Sequence, residues 1–264
     1  MHLSNEQKDY IKRIKFKKRF VLVSQIILGF TFLLTWELCS KYKIINSFIF
    51  SSPLLCFKTI WELLITGELL THFLATMIEI VIAFVFGAFL GLGIAILLYL
   101  VPLLNKIIDP YLTMINSLPK VALGPMLIIW CGANNKTIIF MALLINLIVS
   151  ILTILNGFKN ADKIKLKLLN SFGANKIDIM KYLILPGSIG TIMSSLKLNI
   201  SMTLIGVIMG EFLVSKRGIG YLIIYGTQVF NLNLVISGIF ILLFISYLMF
   251  IIVSLAEKFF CKYK

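Results

Sequence analysis

Long apolar runs dominate the sequence and limit what it can fold into. Hydrophobic residues occupy 59% of the 264 positions and charged residues only 14%. A soluble domain is typically about 45–50% apolar and about 25% charged, so a soluble fold would leave too much apolar surface in water. Because about 20 apolar residues cross the hydrocarbon core as a helix, the sequence predicts an all-α integral membrane protein.

Six candidate spans follow one another along the chain, at roughly 20–39, 72–99, 111–131, 137–156, 187–212 and 233–256. The first is interpreted as a retained signal anchor, since no small-x-small cleavage site follows it. The third contains Pro119 and Pro125, which predict a bent or discontinuous helix. Between spans we expect an amphipathic stretch at Thr59–Leu70, a turn at Asn105–Pro110 and a tight loop at Gly132–Lys136.

Basic residues cluster between the apolar runs, although a net charge of +14 also occurs in nucleic-acid-binding proteins. With the N-terminus inside, 17 basic residues fall on the inner side and six on the outer. The positive-inside rule therefore predicts a multi-pass cell-membrane protein with both termini in the cytoplasm, and excludes nucleic acid as the partner. We expect basic tails at 1–19 and 257–264 around a transmembrane domain at 20–256.

The sequence offers little for enzymatic chemistry. His2 and His72 have no spaced carboxylate or cysteine partner, and the four cysteines show no metal-binding spacing. The run Gly132–Thr137 resembles a phosphate-binding loop superficially, but Asn135 occupies the position where that loop requires glycine before its lysine. We therefore predict no metal, no cofactor and no ATP hydrolysis by this chain.

One polar segment, residues 157–185, is named here the lysine-rich loop. Its apolar residues recur at helical spacing and are interrupted at Gly173-Ala174-Asn175. The pattern predicts a short helix, a glycine turn and a second helix that enters the membrane, with Pro186 near its bend. A surface helix whose lysines contact lipid headgroups is the alternative.

The lysine-rich loop resembles that of the permeases of binding-protein-dependent ABC importers. Those permeases carry E-A-A-x-x-x-G, then nine residues, then I-x-L-P. Here Gly173 is followed after nine residues by Leu183, Leu185 and Pro186, whereas Lys167-Leu168-Leu169 replaces the E-A-A triplet. Further stretches resemble the nitrate/sulfonate/taurine branch, at Thr66–Leu69, Leu118–Pro125, Ile128–Gly132, Glu211–Leu213 and Gly218–Leu222.

The resemblance covers roughly residues 50–230 and implies the type I importer permease fold, with a core at about 66–256. It implies a permease dimer, a separate cytoplasmic ATP-binding subunit and an external substrate-binding protein. In that family the loop carries the coupling helix, which lies in a groove of the ATP-binding subunit. The residues assigned to this contact by resemblance are Lys167, Leu168, Leu169, Phe172, Gly173, Leu183, Leu185 and Pro186.

Four charged residues in or near the spans are candidates for the translocation path: Lys120, Lys197, Glu79 and Glu211. Intramembrane charges are costly and usually face a bundle interior or an aqueous path. We hypothesise that Lys120 or Lys197 offers positive potential to an anionic substrate. Pairing with Glu79 or Glu211, or snorkelling, is the alternative. In the family, position 79 commonly holds arginine, and a salt bridge to a lysine would explain the glutamate here.

Two glycine pairs, Gly87-x-x-x-Gly91 and Gly206-x-x-x-Gly210, are interpreted as packing sites between spans, with a subunit contact as the alternative.

A secondary transporter or small channel remains the alternative function, and would need no ATPase partner. It predicts an ion-coupling carboxylate deep in a broken helix, or two inverted halves. Glu79 is the candidate carboxylate, and no matching halves are seen. The sequence does not fix the substrate. The resemblance leaves nitrate, sulfonates, taurine and vitamin precursors such as thiamine pyrimidines or riboflavin open.

Overall fold

The computed structural model describes the backbone of residues 5–261 and the side chains of Tyr10 and residues 13–259. The predicted tails extend beyond these limits, so residues 1–4 and 262–264 lie outside the described residues. The first four helices are α1 (Asn5–Lys41), α2 (Ser47–Phe50), α3 (Pro53–Ile65) and α4 (Glu68–Leu100). The predicted stretch Thr59–Leu70 is therefore not one helix, because Gly67 adopts φ +77° and separates α3 from α4.

Helices α5 (Pro102–Ser117) and α6 (Gly124–Cys131) form a bent pair, joined by a 3₁₀ turn at Lys120–Leu123. The bend is 90° and lies at Pro119, as Leu118 adopts the extended backbone favoured before proline. The bent third span is thus confirmed, whereas the turn predicted at Asn105–Pro110 is wrong. That segment stays helical because Leu104, Ile108 and Leu112 form one stripe that packs on the core.

The remaining helices are α7 (Asn135–Lys159), α8 (Lys163–Ser171), α9 (Lys176–Ile179), α10 (Leu185–Gly187), α11 (Ile189–Val214), α12 (Ile219–Gln228) and α13 (Leu232–Cys261). The predicted Gly132–Lys136 loop is confirmed up to Asn134, whose side chain caps α7 by accepting from the backbone N–H groups of Lys136 and Thr137. Within the described residues, five helices are long and apolar enough to cross a membrane, or six if the bent pair α5–α6 counts as one span. This confirms the all-α membrane architecture.

Helix α7 lies at the centre of the bundle, between α4 and α11. Gly206 and Gly210 of α11 face Ala142 and Ile138 of α7, and a Cβ at Gly206 would lie 2.5 Å from the Ala142 Cα atom. Gly87 and Gly91 of α4 give the same close approach to the polar side chains of α7. The interpretation of both glycine pairs as packing sites between spans is confirmed.

The buried Asn146 side chain joins the three central helices. Its Nδ2 donates to the Ala83 carbonyl of α4 at 3.1 Å and to the Thr203 Oγ1 of α11 at 2.6 Å. Such bonds fix the register of helices where no water is available to replace them.

Two apolar clusters divide the bundle along its length. One joins α3, α4, α7, α11, α12 and α13. The other joins the end of α4, α5, the end of α7 and the segment α8–α9. The end of the bundle that carries the lysine-rich loop is named the loop end, and the other is named the far end.

We expect Gly206→Ala to destabilise the bundle, because the new methyl group meets the backbone of α7. Overpacking of this kind costs about 1–3 kcal/mol. Gly93→Ala is the matched control, since no described atom beyond the local backbone of its own helix lies within 4 Å of its added Cβ, and alanine favours the helix. Thermal unfolding of the two purified variants in detergent provides the measurement. Equal melting temperatures would contradict the close packing of α7 and α11.

Candidate functional site

The lysine-rich loop folds as two capped helices around a glycine turn. Asp162 caps α8 by accepting from Ile164 N at 2.9 Å and Lys165 N at 3.3 Å. Gly173 then adopts φ +75°, the left-handed conformation that commonly ends a helix.

At the start of α9, Asn175 and Asp178 form a capping box. A π-helical turn at Met180–Ile184 precedes Pro186, which supplies no N–H group to continue a regular ladder. The predicted helix, glycine turn and second helix are confirmed.

Helix α8 has two apolar faces with different environments. Leu166 and Leu169 pack against the cluster formed by the ends of α4 and α7. Ile164, Leu168 and the following Phe172 are exposed by 80%, 53% and 77%. The outer face is therefore apolar although the loop is rich in lysine, and it is available to another protein or to lipid.

The residues predicted to contact a partner fall into two groups. Lys167, Leu168, Phe172, Gly173 and Pro186 are exposed, whereas Leu169, Leu183 and Leu185 are half-buried and pack on the loop-end cluster. The second group anchors the loop to the bundle rather than lying on its outer surface.

At the far end, the first backbone N–H groups of α12 are capped by side chains of other helices. Gly220 N donates to Glu211 Oε2 at 2.5 Å, and Ile219 N donates to Thr76 Oγ1 at 2.8 Å. Thr76 Oγ1 in turn donates to Glu211 Oε1 at 2.6 Å, while Gly218 N donates to His72 Nδ1 at 3.0 Å. Helices α4 and α11 thus supply the acceptors that the start of a helix needs.

Two glycines make room for the Glu211 carboxyl. Gly218 adopts φ +120°, and a Cβ there or at Gly220 would collide with the Glu211 oxygens, with only 2.7 Å to Oε2 at Gly220. The two glycines of Gly218-Ile219-Gly220 therefore leave the space that the Glu211 carboxyl occupies. A larger side chain at either glycine would displace that carboxyl.

The Glu79 carboxyl lies near that of Glu211, and both residues are at most 2% exposed. Among the described residues, no lysine, arginine or other donor reaches the Glu79 oxygens. The salt bridge expected between Glu79 and a lysine is therefore wrong. Both carboxyls belong to the buried contact of α4 with α11 and α12.

The two candidate lysines have different surroundings. Lys197 Nζ lies 2.5 Å from Glu257 Oε2 of α13, so its charge is paired within the chain. Lys120 Nζ contacts Asn116 Oδ1 at 3.1 Å, and no carboxylate among the described residues lies within ion-pair distance of it. The structure brings Glu79 and Glu211 together but not the two lysines.

The comparison with known proteins identifies the family. Residues 83–260 match the model of the binding-protein-dependent transport system inner membrane component. This chain belongs to that family. The match includes the lysine-rich loop, Glu211 and the glycines that surround its carboxyl.

Named relatives agree with the branch indicated by the sequence motifs. The permease is 24% identical to SsuC of Bacillus subtilis, a permease protein assigned to aliphatic sulfonates transport, over 94% of this chain and 90% of SsuC. It is 22% identical to TauC of Escherichia coli, the permease protein of a taurine transport system, over 67% of this chain and 65% of TauC.

Its fold is similar to a chain of the MetNI methionine ABC transporter in an inward-facing conformation, with a TM-score of 0.59 and 15% identity. The alignment covers 75% of the permease and 96% of that chain. The type I importer permease fold is confirmed.

Several side chains of the permease were not found from the sequence. The sequence shows no partner for His72, and Thr76 and Asn146 give no signal, because one hydroxyl or amide in an apolar run does not reveal its partner. Their contacts are 57–146 positions away in the chain. The four-residue spacing of His72 and Thr76 on α4 places both on one helix face, and that is the available clue.

We expect Glu211→Gln and Glu79→Gln to have unequal effects. Glu211 accepts from Thr76 and Gly220, and a glutamine must oppose one of these donors with its own NH₂ group. The hydrogen bond lost in this way is expected to lower the free energy of unfolding by about 1–3 kcal/mol. The Glu79 oxygens have no hydrogen-bond partner among the described residues, so Glu79→Gln breaks no such contact, and its NH₂ group can donate to the nearby Glu211 carboxyl.

Thermal unfolding of the two purified variants tests this difference. A lower melting temperature is expected for Glu211→Gln only. The capping role assigned to Glu211 fails if Glu79→Gln destabilises the permease as much as Glu211→Gln.

Proposed function

We propose that the permease is the membrane subunit of an ATP-driven importer and that its lysine-rich loop binds a separate ATP-hydrolysing subunit. The observation that carries the proposal is the exposed apolar face of Ile164, Leu168 and Phe172 on a loop whose opposite face is anchored to the bundle. A helix held on one face and apolar on the other suits a groove in a protein partner.

The connection from this loop to the spans supports a mechanical role. The π-helical turn and α10 lead directly into α11, which packs along α7. Closure of ATP-binding subunits would move the loop and, through it, α11 relative to its neighbours. Packed helices favour such rigid-body switching between two arrangements over continuous deformation.

The charge distribution supports the proposed topology. With 17 basic residues on one side and six on the other, the loop end faces the cytoplasm and the far end faces the exterior. Both termini are then cytoplasmic, and an external binding protein delivers the solute to the far end.

We assign the translocation path to a face completed by a second copy of the permease. The second half of α5 and the turn that follows it expose polar side chains at Thr113, Asn116 and Ser117, next to the half-buried Lys120. Polar and charged groups of a span are expensive against lipid and usually face protein or water. Lys120 has no carboxylate partner among the described residues, so it is the candidate that we retain for contact with the solute.

A small anionic solute fits this site best. The positive charge of Lys120 would attract a sulfonate or a similar anion, and the relatives SsuC and TauC are named for aliphatic sulfonates and taurine. Selectivity within this class lies mainly with the external binding protein.

We expect Phe172→Ser to release the ATP-binding subunit, because it removes the most exposed aromatic group of the proposed contact. Leu103→Ser is the control, since Leu103 is 71% exposed at the same end of the bundle but lies on α5. Co-purification of the ATP-binding subunit with each variant is the measurement. We expect at least a ten-fold loss for Phe172→Ser, equivalent to about 1.4 kcal/mol. Equal co-purification of both variants would contradict the assignment.

We expect Lys120→Met to reduce uptake of labelled taurine or an alkanesulfonate by about ten-fold. This factor corresponds to the loss of about 1.4 kcal/mol of interaction free energy between the solute and the path. Lys197→Met should leave uptake per folded molecule unchanged and lower stability, because it breaks the contact with Glu257. Proteoliposomes with the permease, its ATP-binding subunit and its binding protein allow both rates to be measured. Parental uptake by Lys120→Met would remove Lys120 from the path.

A further inference from the structure

A cavity of about 430 Å³ separates the α4–α5 corner from the lysine-rich loop. Its apolar walls include Leu98 and Leu100 at the end of α4, Leu166 of α8 and Ile179 of α9. The volume lies in the range of small-molecule sites, about 300–1,000 Å³. The bundle and the loop both contribute walls, so any occupant contacts both.

The rest of the lining includes four polar side chains: Asn105, Lys159, Asn170 and Lys176. The Asn105 Oδ1 atom is buried and has no hydrogen-bond partner among the described residues. Lys159 Nζ lies 3.7 Å from Asp109 Oδ1, a weak surface ion pair, and Lys176 has no acidic partner in the described part of the chain. Residues 159–181 contain six lysines and two aspartates, so the surroundings are positive.

We propose that an anionic phospholipid binds in this cavity. Its phosphate lies between Lys159 and Lys176, and its acyl chain covers the leucine wall. Tyr99, which also lines the cavity, is a residue type enriched where a span meets the headgroups. Basic pockets between helices at the cytoplasmic face are suited to anionic headgroups. The inference rests on the cytoplasmic placement of the loop end in the proposed function.

A lipid in this position stabilises the loop against the bundle. Asn170 contributes to the cavity from the same helix that presents Leu168 on its outer face. The lipid therefore restricts the motion of the segment assigned to the ATP-binding subunit, although it does not touch the outer face. Without the lipid, the half-buried leucines Leu166, Leu169, Leu183 and Leu185 would be the principal apolar contacts that hold the loop on the bundle.

Thermal unfolding of the full-length permease in detergent tests the site without any transport partner. Dioleoyl phosphatidylglycerol should raise the melting temperature by several degrees more than dioleoyl phosphatidylcholine, because a ligand that binds only the folded state stabilises it. The double variant Lys159→Gln, Lys176→Gln should lose this difference. The control Lys163→Gln, Lys181→Gln changes the same charge in the same loop and should keep it.

Two further arms distinguish a bound phospholipid from a free phosphate anion and from a general effect of the loop's charge. Asn170→Phe narrows the cavity without changing charge and should weaken the phosphatidylglycerol effect. Glycerol 3-phosphate, which carries the charge but no acyl chain, should give no effect. The proposal is overturned if glycerol 3-phosphate reproduces the shift, if the control pair loses it, or if Lys159→Gln, Lys176→Gln and Asn170→Phe all retain it. Because no ATP-binding subunit or solute takes part, this result is independent of the transport tests.

Discussion

The close approach of α7 to its neighbours is the contact on which the bundle depends. Lipid is as apolar as leucine, so moving a leucine from lipid into a helix contact gains little free energy. Association of helices in a bilayer therefore depends on close van der Waals packing. Gly206 and Gly210 provide that contact on one side, and Gly87 and Gly91 on the other. Polar side chains in this interface require a fixed register, because an unbonded amide has no water to contact. The bonds of Asn146 to both neighbours fix that register.

The same lack of water explains the arrangement around Glu211. A helix that starts inside the bundle exposes N–H groups that must be satisfied by protein, and α12 obtains its acceptors from α4 and α11. A carboxylate at a helix start also meets favourable backbone dipoles. The spacing from Glu211 to Gly218 and Gly220 thus has a physical cause: the chain turns back, and two residues without side chains leave space for one carboxyl.

The sequence predicted features that arise from local physics. Apolar run length identified the spans, Pro119 located the bend, and Gly173 located the turn of the loop. Contacts between distant helices were not predictable in the same way. The Glu79 carboxyl was expected beside a lysine, since opposite charges attract, but the packing of α4 on α11 places it beside Glu211. Pro110 suggested a turn, yet the stripe of Leu104, Ile108 and Leu112 retained the helix.

The lysine-rich loop shows how one short helix meets two requirements. At 3.6 residues per turn, Ile164 and Leu168 share one face of α8, while Leu166 and Leu169 lie nearly opposite. Leu168 and Leu169 are adjacent in sequence but about 100° apart around the axis, and their surroundings differ: Leu168 is exposed, whereas Leu169 is half-buried. Leu169 anchors the helix to the ends of α4 and α7, and Leu168 lies on the exposed face that is available to a partner. In the proposed coupling, a push on the outer face reaches the spans through the inner leucines and requires no glutamate in the E-A-A position.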